Sequence, residues 1–383
     1  MNTHHTMDIF DVAFALTGDP MVNSRALRQL RLLSDLGANI LVLAIADQSL
    51  DATINIPNVT MKYLPKPNGH GPQFFFNVYQ QSKRALRNVV SRVYHASDLY
   101  VLAAMSQTAT RHRGKLVFDS RELYTHVPAT IKRPWVRGVW SLVERKYIRK
   151  ADCVFTVSES ISKHLSDSYG LDSVYLMLNV PEPQKASTSP SLRKTLNVTD
   201  NITIILHQGS IQKHRGGSMM VNAMRYTENA LLVFLGKGPL RGETERLVKD
   251  LNLSSKVKFL DPVSPDELLN VTATADIGIT FLEDCCLNHK YALPNKLFEY
   301  LSAGIPVIAS DLPEIRQIIE RFDVGCVVPS GDVKALGAAL NTAIQNPEYL
   351  YKWASNTSKF KENFNYTIES KHFLTPYRSL LEC

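Results

Sequence analysis

Three stretches in the second half of this 383-residue chain hold residue types suited to phosphate and vicinal hydroxyls. The first is His207-Gln-Gly-Ser-Ile-Gln-Lys-His-Arg-Gly-Gly217, which follows an apolar run. Gly209 has no Cβ, so backbone there can approach a ligand closely, and Ser210 follows it. Lys213 and Arg215 add positive charge. Gly216 and Gly217 open a helix whose free amides favour an anion. The second stretch, Leu235-Gly236-Lys237-Gly238-Pro239, repeats that logic at the end of another apolar run. In the third, Asn295-Lys296-Leu297-Phe298-Glu299, the lysine and glutamate are three apart and share one face of a helix. Glu299 can accept hydrogen bonds from two vicinal ribose hydroxyls, and Lys296 can reach a phosphate. Each stretch also has a plainer reading: an ordinary strand-to-helix turn, a Gly-Pro turn, and a surface Lys–Glu pair.

The elements that must position these residues read as two α/β halves. Phe10–Leu16, Asn39–Ala46, Val59–Leu64, Lys115–Ser120 and Cys153–Ser158 are expected strands in the first half. Ile202–His207, Ala230–Leu235, Val257–Leu260, Asp276–Phe281, Ile305–Ser310 and Cys326–Pro329 are expected in the second. Most are continuous apolar runs, as in parallel strands covered on both faces. Helical patterns fill the gaps. Asp19 and Pro20 suit an N-cap and first turn, Val22 to Leu36 form an apolar face, and Gly37 ends it. Ser160 to Tyr169 closes at Gly170. Ser264-Pro-Asp-Glu267 reads as a capping box, and Asp332 as another cap. Pro294 begins a helix packed through Leu297, Tyr300 and Leu301 and terminated by Gly304. The proline-rich segment 181–190 reads as a linker. The expected domains are therefore 1–180, the linker 181–190, and 191–362, with a final segment 363–383. Ligands of such sheets bind beyond the carboxyl ends of the strands, where the candidate loops lie.

The five cysteines are scattered and form no CxxC pair; adjacent Cys285 and Cys286 are a poor arrangement for ordinary metal ligation. Free thiols in a reducing cytoplasm are expected, with no metal and no cofactor. The net charge of +7 is uneven: residues up to Lys185 hold 22 Lys+Arg against 15 Asp+Glu, and the remainder are balanced at 21 each. Part of the excess is dense, in Lys132, Arg133, Arg137, Arg145, Lys146, Arg149 and Lys150, with Trp135 and Trp140 interleaved. That composition suits an anionic membrane surface; a solvated helix face with partly buried tryptophans is the alternative. No run approaches the ~20 apolar residues of a membrane span, and the N-terminus lacks the basic end and apolar stretch of a signal peptide. A cytoplasmic protein, peripheral on the inner face of the plasma membrane, is expected. No nucleic-acid partner is expected.

The run Pro294-Asn-Lys-Leu-Phe-Glu-Tyr-Leu-Ser-Ala-Gly-Ile-Pro-Val-Ile308 closely resembles retaining nucleotide-sugar glycosyltransferases of family 4, which have the GT-B fold. The resemblance extends over nearly the whole chain. Asp19-Pro-Met-Val resembles the family's first loop, and Tyr94-His95-Ala-Ser-Asp98 its H-x-x-D stretch. Phe118-Asp-Ser-Arg-Glu-Leu123 resembles its D-x-H-E-L stretch, and Ala151–Ser158 the strand that ends its first domain. The resemblance implies two Rossmann-like domains with parallel sheets facing a central cleft, and a last helix crossing back to the first domain. It implies transfer of a sugar from a UDP- or GDP-linked donor to a saccharide or lipid-linked saccharide, with no metal. Gly209, Ser210, Lys213, Arg215, Gly216, Gly236, Lys237, Gly238, Asn295, Lys296, Leu297 and Glu299 would hold the donor. Asp19, Asp98 and Glu122 would contact the acceptor. His95, Arg215 and Lys296 would serve the reaction. The chain departs from the family in four places. Ser210 stands where an arginine is usual, Arg215 takes the place of the pyrophosphate-binding lysine, and Tyr291 replaces the first of two glutamates. Arg121 also stands where many relatives have histidine.

Two other readings remain open: a nucleotide-sugar epimerase on the same fold, and a non-catalytic homologue acting as a binding partner. A dehydrogenase is disfavoured, because the first strand runs into Thr17-Gly-Asp-Pro rather than GxGxxG.

Overall fold

The computed structural model describes residues 7–47, 55–69, 71–184 and 190–382. The chain divides into two compact units: Met1–Leu178 with Glu369–Cys383, and Asn179–Ile368. Most of the second half of the expected linker, 185–189, lies outside the described residues.

The first unit is built on seven strands: β1 Asp8–Thr17, β2 Ile40–Ile45, β3 Val59–Leu64, β4 Val89–Ala96, β5 Lys115–Ser120, β6 Cys153–Thr156 and β7 Tyr175–Leu176. They lie in the order β3-β2-β1-β4-β5-β6-β7, and every pairing is parallel. The apolar runs explain the choice: β2 is buried along its whole length, as helices on both faces require. The expected strands are all present. The strands that the apolar pattern passed over are the two-residue β7 and β4, which Ser91 and Arg92 interrupt; Arg92 points to solvent and donates to the Leu381 carbonyl at 3.1 Å. The second unit has six strands: β8 Thr203–Gln208, β9 Ala230–Leu235, β10 Val257–Leu260, β11 Ile277–Thr280, β12 Val307–Ser310 and β13 Gly325–Val328. Their order is β10-β9-β8-β11-β12-β13, again all parallel. Ile205, Phe234, Ile277 and Ile308 fill its core. Each sheet is a Rossmann-like α/β layer.

Both sheets grow outward from their first strand, then return to its other side. The direction of winding therefore reverses between β1 and β4, and between β8 and β11. A crevice forms at such a switch point, beyond the carboxyl ends of the strands.

Capping follows the sequence with two adjustments. Asp19 caps only a short turn, Pro20–Val22, accepting from the Met21 amide at 2.9 Å. The helix proper, Ser24–Asp35, restarts from a second cap, Asn23. At the capping box, the Ser264 hydroxyl bonds Glu267, but the helix begins only at Leu268. Asp332 caps the helix Val333–Gln345 as expected. The last helix, Tyr366–Glu382, belongs to the first unit from Glu369 onward, and the Glu369 carboxylate accepts from the Leu178 amide at 2.7 Å.

Candidate donor site in the second unit

The switch point of the second unit is bounded by the loops after β8 and β11. The backbone after β8 continues the sheet's ladder: the Gly209 amide donates to the Leu235 carbonyl at 2.9 Å, and the Ile211 amide to the Lys237 carbonyl at 3.0 Å. The two glycine-bearing loops are thus one laced surface. A Cβ on Gly236 would lie 2.1 Å from the Gly209 carbonyl oxygen, so only glycine permits this approach. Gly216 has φ +70°, and a Cβ there would meet the Phe281 side chain at 2.5 Å. The loop after β8 is tied to the loop after β11 by His214, whose Nδ1 lies 2.6 Å from a Glu283 carboxylate oxygen. The Glu283 amide donates back to the His214 carbonyl at 3.2 Å.

The helix Asn295–Ala303 brings Lys296 and Glu299 to the same place. Lys296 Nζ lies 3.3 Å from Nε2 of buried His207, and closer to the Gly209 position than any other side chain. Burial first, and then the Arg215 guanidinium, lower the Lys296 ammonium to about 7 against the pull of Glu299. Burial, then Lys296, drives His207 well below its usual range, so that imidazole stays neutral. Arg215 is half-buried and acts on Lys296, His207 and His289 alike. Glu299 is held by Gln208, whose amide donates at 2.5 Å. Gln208 is itself fixed: its side-chain oxygen accepts from Thr272 at 2.7 Å, and its backbone amide donates to the Tyr300 hydroxyl at 3.0 Å. The sequence reading missed Gln208. The available signal was a polar His207-Gln208 pair closing an otherwise apolar strand, with nothing to pair it unless a side chain came from elsewhere.

The remaining donor candidates divide by exposure. Gly209, Ser210, Lys237 and Asn295 are exposed, as is Lys213, Gly238 is half-buried, and Gly216 and Gly236 are buried. Leu297 is a correction. It is fully buried in the core, and its amide is already bonded to the Pro294 carbonyl, so it offers a ligand no surface. A cavity of about 590 Å³ opens beside the loop after β8, lined by Lys213, His214, Gly216, Glu243, Arg246 and Glu283 among others; Lys296 and Glu299 do not line it.

The first-unit candidates take other roles. Asp98 is fully buried and caps the helix Leu99–His112, accepting from the Tyr100 amide at 2.9 Å and from the Thr17 amide and hydroxyl at 2.7 and 2.8 Å. Its carboxylate is consumed by structure, which corrects the acceptor-binding expectation. His95 is also fully buried. It stacks on Phe14 at 4.3 Å, and its Nδ1 lies 2.7 Å from the Tyr377 hydroxyl of the last helix. Burial lowers the ring to about 3, with Asp119 opposing. The ring is neutral with no exposed surface and joins the last helix to the sheet through Nδ1. Asp19 is half-buried and caps its turn, while Glu122 is exposed.

Two family descriptions match the chain: "Glycosyl transferase 4-like domain" over residues 22–177 and "Glycosyl transferases group 1" over residues 189–360. The chitobiosyldiphosphodolichol beta-mannosyltransferase of Candida albicans is 23% identical over 299 residues, covering 71% of this chain and 65% of that protein. The D-inositol 3-phosphate glycosyltransferase of Corynebacterium urealyticum is 20% identical, covering 62% and 59%. The chain thus spans less than two thirds of the length of these curated relatives. Among solved structures, sucrose-phosphate synthase from Thermosynechococcus elongatus superposes with a TM-score of 0.80 at 18% identity, over 98% of this chain and 99% of that one. Anabaena HepE in complex with UDP-glucose does so with 0.76 at 16%, over 97% and 100%. The fold they share is GT-B, and the two matched domains account for most of the sequence. The chain belongs to the family 4, group 1 glycosyltransferases of the GT-B fold.

Proposed function

We propose that the protein transfers a hexose-type sugar from a UDP- or GDP-linked donor to a saccharide or lipid-linked saccharide, with retention of anomeric configuration, in the synthesis of a cell-envelope polysaccharide or glycolipid. The observation that carries this is the crowding of Arg215 and Lys296 at the switch point. Two cations pressed together, one of them lowered to about 7, form a site that an arriving diphosphate relieves. Glu299, fixed by Gln208, stands three residues away to accept the ribose hydroxyls.

In this reading the bond between the anomeric carbon and the diphosphate oxygen breaks as the acceptor oxygen bonds the same face of that carbon. The acceptor's proton passes to the departing phosphate. Negative charge grows on the diphosphate, and Arg215, Lys296 and the loop amides stabilise it more at the transition state than in the bound donor. The names of the Candida and Corynebacterium relatives support an acceptor that is a lipid-linked saccharide or a phosphorylated polyol. The UDP-glucose bound to HepE supports a uridine nucleotide.

A membrane-borne acceptor gains support from the first unit. Ile131, Trp135, Val139 and Leu142 lie at helical spacing along and just before the helix Pro134–Ile148, and all are exposed, Trp135 by 61% and Leu142 by 70%. Lys132, Arg133 and Arg137 flank them, also exposed. Trp140 instead packs on Phe75 and Tyr100 at 4.8 and 5.2 Å, so only one of the two tryptophans is offered outward. An apolar stripe edged with cations fits an anionic bilayer surface. No helix among the described residues is long and apolar enough to cross a membrane.

The test is incubation with UDP- and GDP-hexoses, scoring diphosphate release and the linkage formed. Lys296→Met and Arg215→Met should each lower kcat/KM by about 10²–10³-fold, the usual cost of one charged transition-state contact. An inverted linkage would remove the retaining assignment, a free epimerised sugar would favour an epimerase, and failure to bind any nucleotide would leave a binding partner.

A further inference from the structure

The loop between β11 and the donor helix carries a side-chain cluster that the transfer reaction does not use. Cys285, Cys286 and His289 each bring one ligand-capable atom into a group whose members all lie within 4.8 Å of one another. Adjacent residues of an extended chain point to opposite faces, which makes a Cys-Cys pair unpromising on sequence. Here the backbone bends at Cys286 and enters the short helix Leu287–Lys290. Cys285, just before the cap residue Cys286, then stands beside His289 of that helix. Cys285 Sγ lies 3.5 Å from His289 Nδ1. Zinc–sulfur and zinc–nitrogen bonds of about 2.3 and 2.0–2.1 Å at a tetrahedral angle span an edge of roughly 3.5 Å, so this pair already stands at ligating separation. Both thiols are half-buried, and the imidazole is buried. Nδ1 of His289 shares its proton with the Glu283 carbonyl at 3.0 Å, a bond that a cation would displace on binding, and the Glu283 side chain is paired with His214.

We propose that Cys285, Cys286 and His289 form a three-ligand site for a thiophilic divalent cation of the zinc type, with the fourth position open to water. Thiolate and imidazole donors without an oxygen ligand select such an ion over magnesium or calcium. Two thiolates neutralise its charge, so the site adds no net charge beside Arg215. Its consequence is mechanical. The cation would pin the loop after β11, and through the Glu283–His214 pair the loop after β8, which bears Arg215.

The test is anaerobic titration of the reduced, chelator-treated full chain with Co(II), followed by displacement with Zn(II). One cobalt per chain should bind and give a near-ultraviolet thiolate-to-cobalt charge-transfer band, which zinc abolishes. Cys285→Ser with Cys286→Ser should remove the band, and Cys326→Ser should leave it intact. His289→Ala should weaken binding by more than about 100-fold, since even a lost outer partner costs roughly 10–100-fold. Zinc should also slow amide exchange across residues 281–291 in the unaltered chain, a readout that needs no variant to fold. The proposal is overturned by an absent band, by a band that survives the double variant, or by a Cys285–Cys286 disulfide that forms despite stoichiometric zinc.

Discussion

The two sheets reverse their winding in the same way, yet they place opposite electrostatics near the ends of their strands. In the first unit the charge is spent on structure. Arg25 grips Asp119 through two nitrogens at 2.8 and 2.7 Å, with both side chains almost wholly buried. Gln29 donates to the same carboxylate at 2.9 Å, and Arg25 also donates to the Met177 carbonyl. Burial opposes ionisation of Asp119, and the guanidinium more than offsets it, holding the carboxyl below its usual value. Asp98 beside this pair is a cap, and His95 is a neutral wedge. In the second unit the like charges Arg215 and Lys296 are crowded, and the lysine is pushed down rather than held in its charged form. A satisfied buried pair makes a rigid wall. Crowded cations make a place for something negative. The same topology supports either, and the side chains decide which.

The comparison breaks most sharply if the first unit tolerates losing a charge. Arg25→Met should leave Asp119 buried and unpaired, at about 3–5 kcal/mol of that unit's stability. Urea unfolding followed by amide exchange separates the units, since two units need not melt together. Nucleotide binding by the second unit should persist. Equal loss in both units would mean that they are not the independent devices described here.

A smaller effect is expected where the second unit does spend hydrogen bonds on position. Gln208→Leu would release Glu299 and strip Thr272 of its side-chain acceptor. Hydrogen bonds to charged groups are worth roughly 1.5–3 kcal/mol, so affinity for UDP or GDP should fall by about 10–100-fold. A probe without a nucleoside discriminates: affinity for inorganic pyrophosphate, which has no ribose, should hardly change. If both weaken alike, Glu299 is not the ribose contact.

The sequence made the apolar half of this picture readable and much of the polar half unreadable, for one reason. Parallel strands buried on both faces must be continuous apolar runs, so β2, β9 and β12 announced themselves. The helix after Pro294 carried its own cap, packing face and terminating Gly304. Lys296 and Glu299 were legible because they are three apart on one helix. Gln208 was not, because its partners Glu299 and Thr272 are 91 and 64 residues away. Asp98 and His95 were named on the resemblance of their stretch to H-x-x-D. Nothing local says that Thr17 and Tyr377 come to bond them. Leu297 was carried along with its neighbours on the resemblance, although its type already suited the core.

A subtler test concerns protons. Lys296 titrates near 7 in the free protein, and a bound diphosphate must raise it. Binding therefore takes up a proton above pH 7. Affinity for the nucleotide should be flat at lower pH and fall by up to about tenfold per unit as pH rises past 7. Calorimetry in buffers of different ionisation enthalpy measures the uptake directly. Lys296→Met should bind more weakly and lose the uptake. A variant in the first unit such as Glu122→Gln should keep both.

The smallest expected effect inverts the first. A lysine that titrates at about 7 when folded and at its usual value of 10.5 when unfolded costs the folded state stability wherever the unfolded chain is protonated. As pH rises from 7 to 10.5 the folded state has released its proton while the unfolded chain still binds one, so the penalty shrinks steadily across this window. By the same linkage, the unfolded chain binds more protons across this window, so stability rises with pH until both states are neutral above 10.5. Below pH 7 both states are charged and the whole penalty is present. Lys296→Met removes the penalty, and Lys296 is partly exposed, so only a modest gain is expected. A shift of about 2–4 °C in the second unit's Tm corresponds to about 1 kcal/mol in a domain of this size. The gain should be largest near pH 6, shrink towards pH 10, and reverse when saturating UDP or GDP stabilises the unaltered protein more than the variant. Removing a charge would then weaken one unit and strengthen the other. If the methionine variant melts lower than the parent at pH 6 without nucleotide, Lys296 is a structural partner of its neighbours, as Arg25 is, and the contrast between the two sheets disappears.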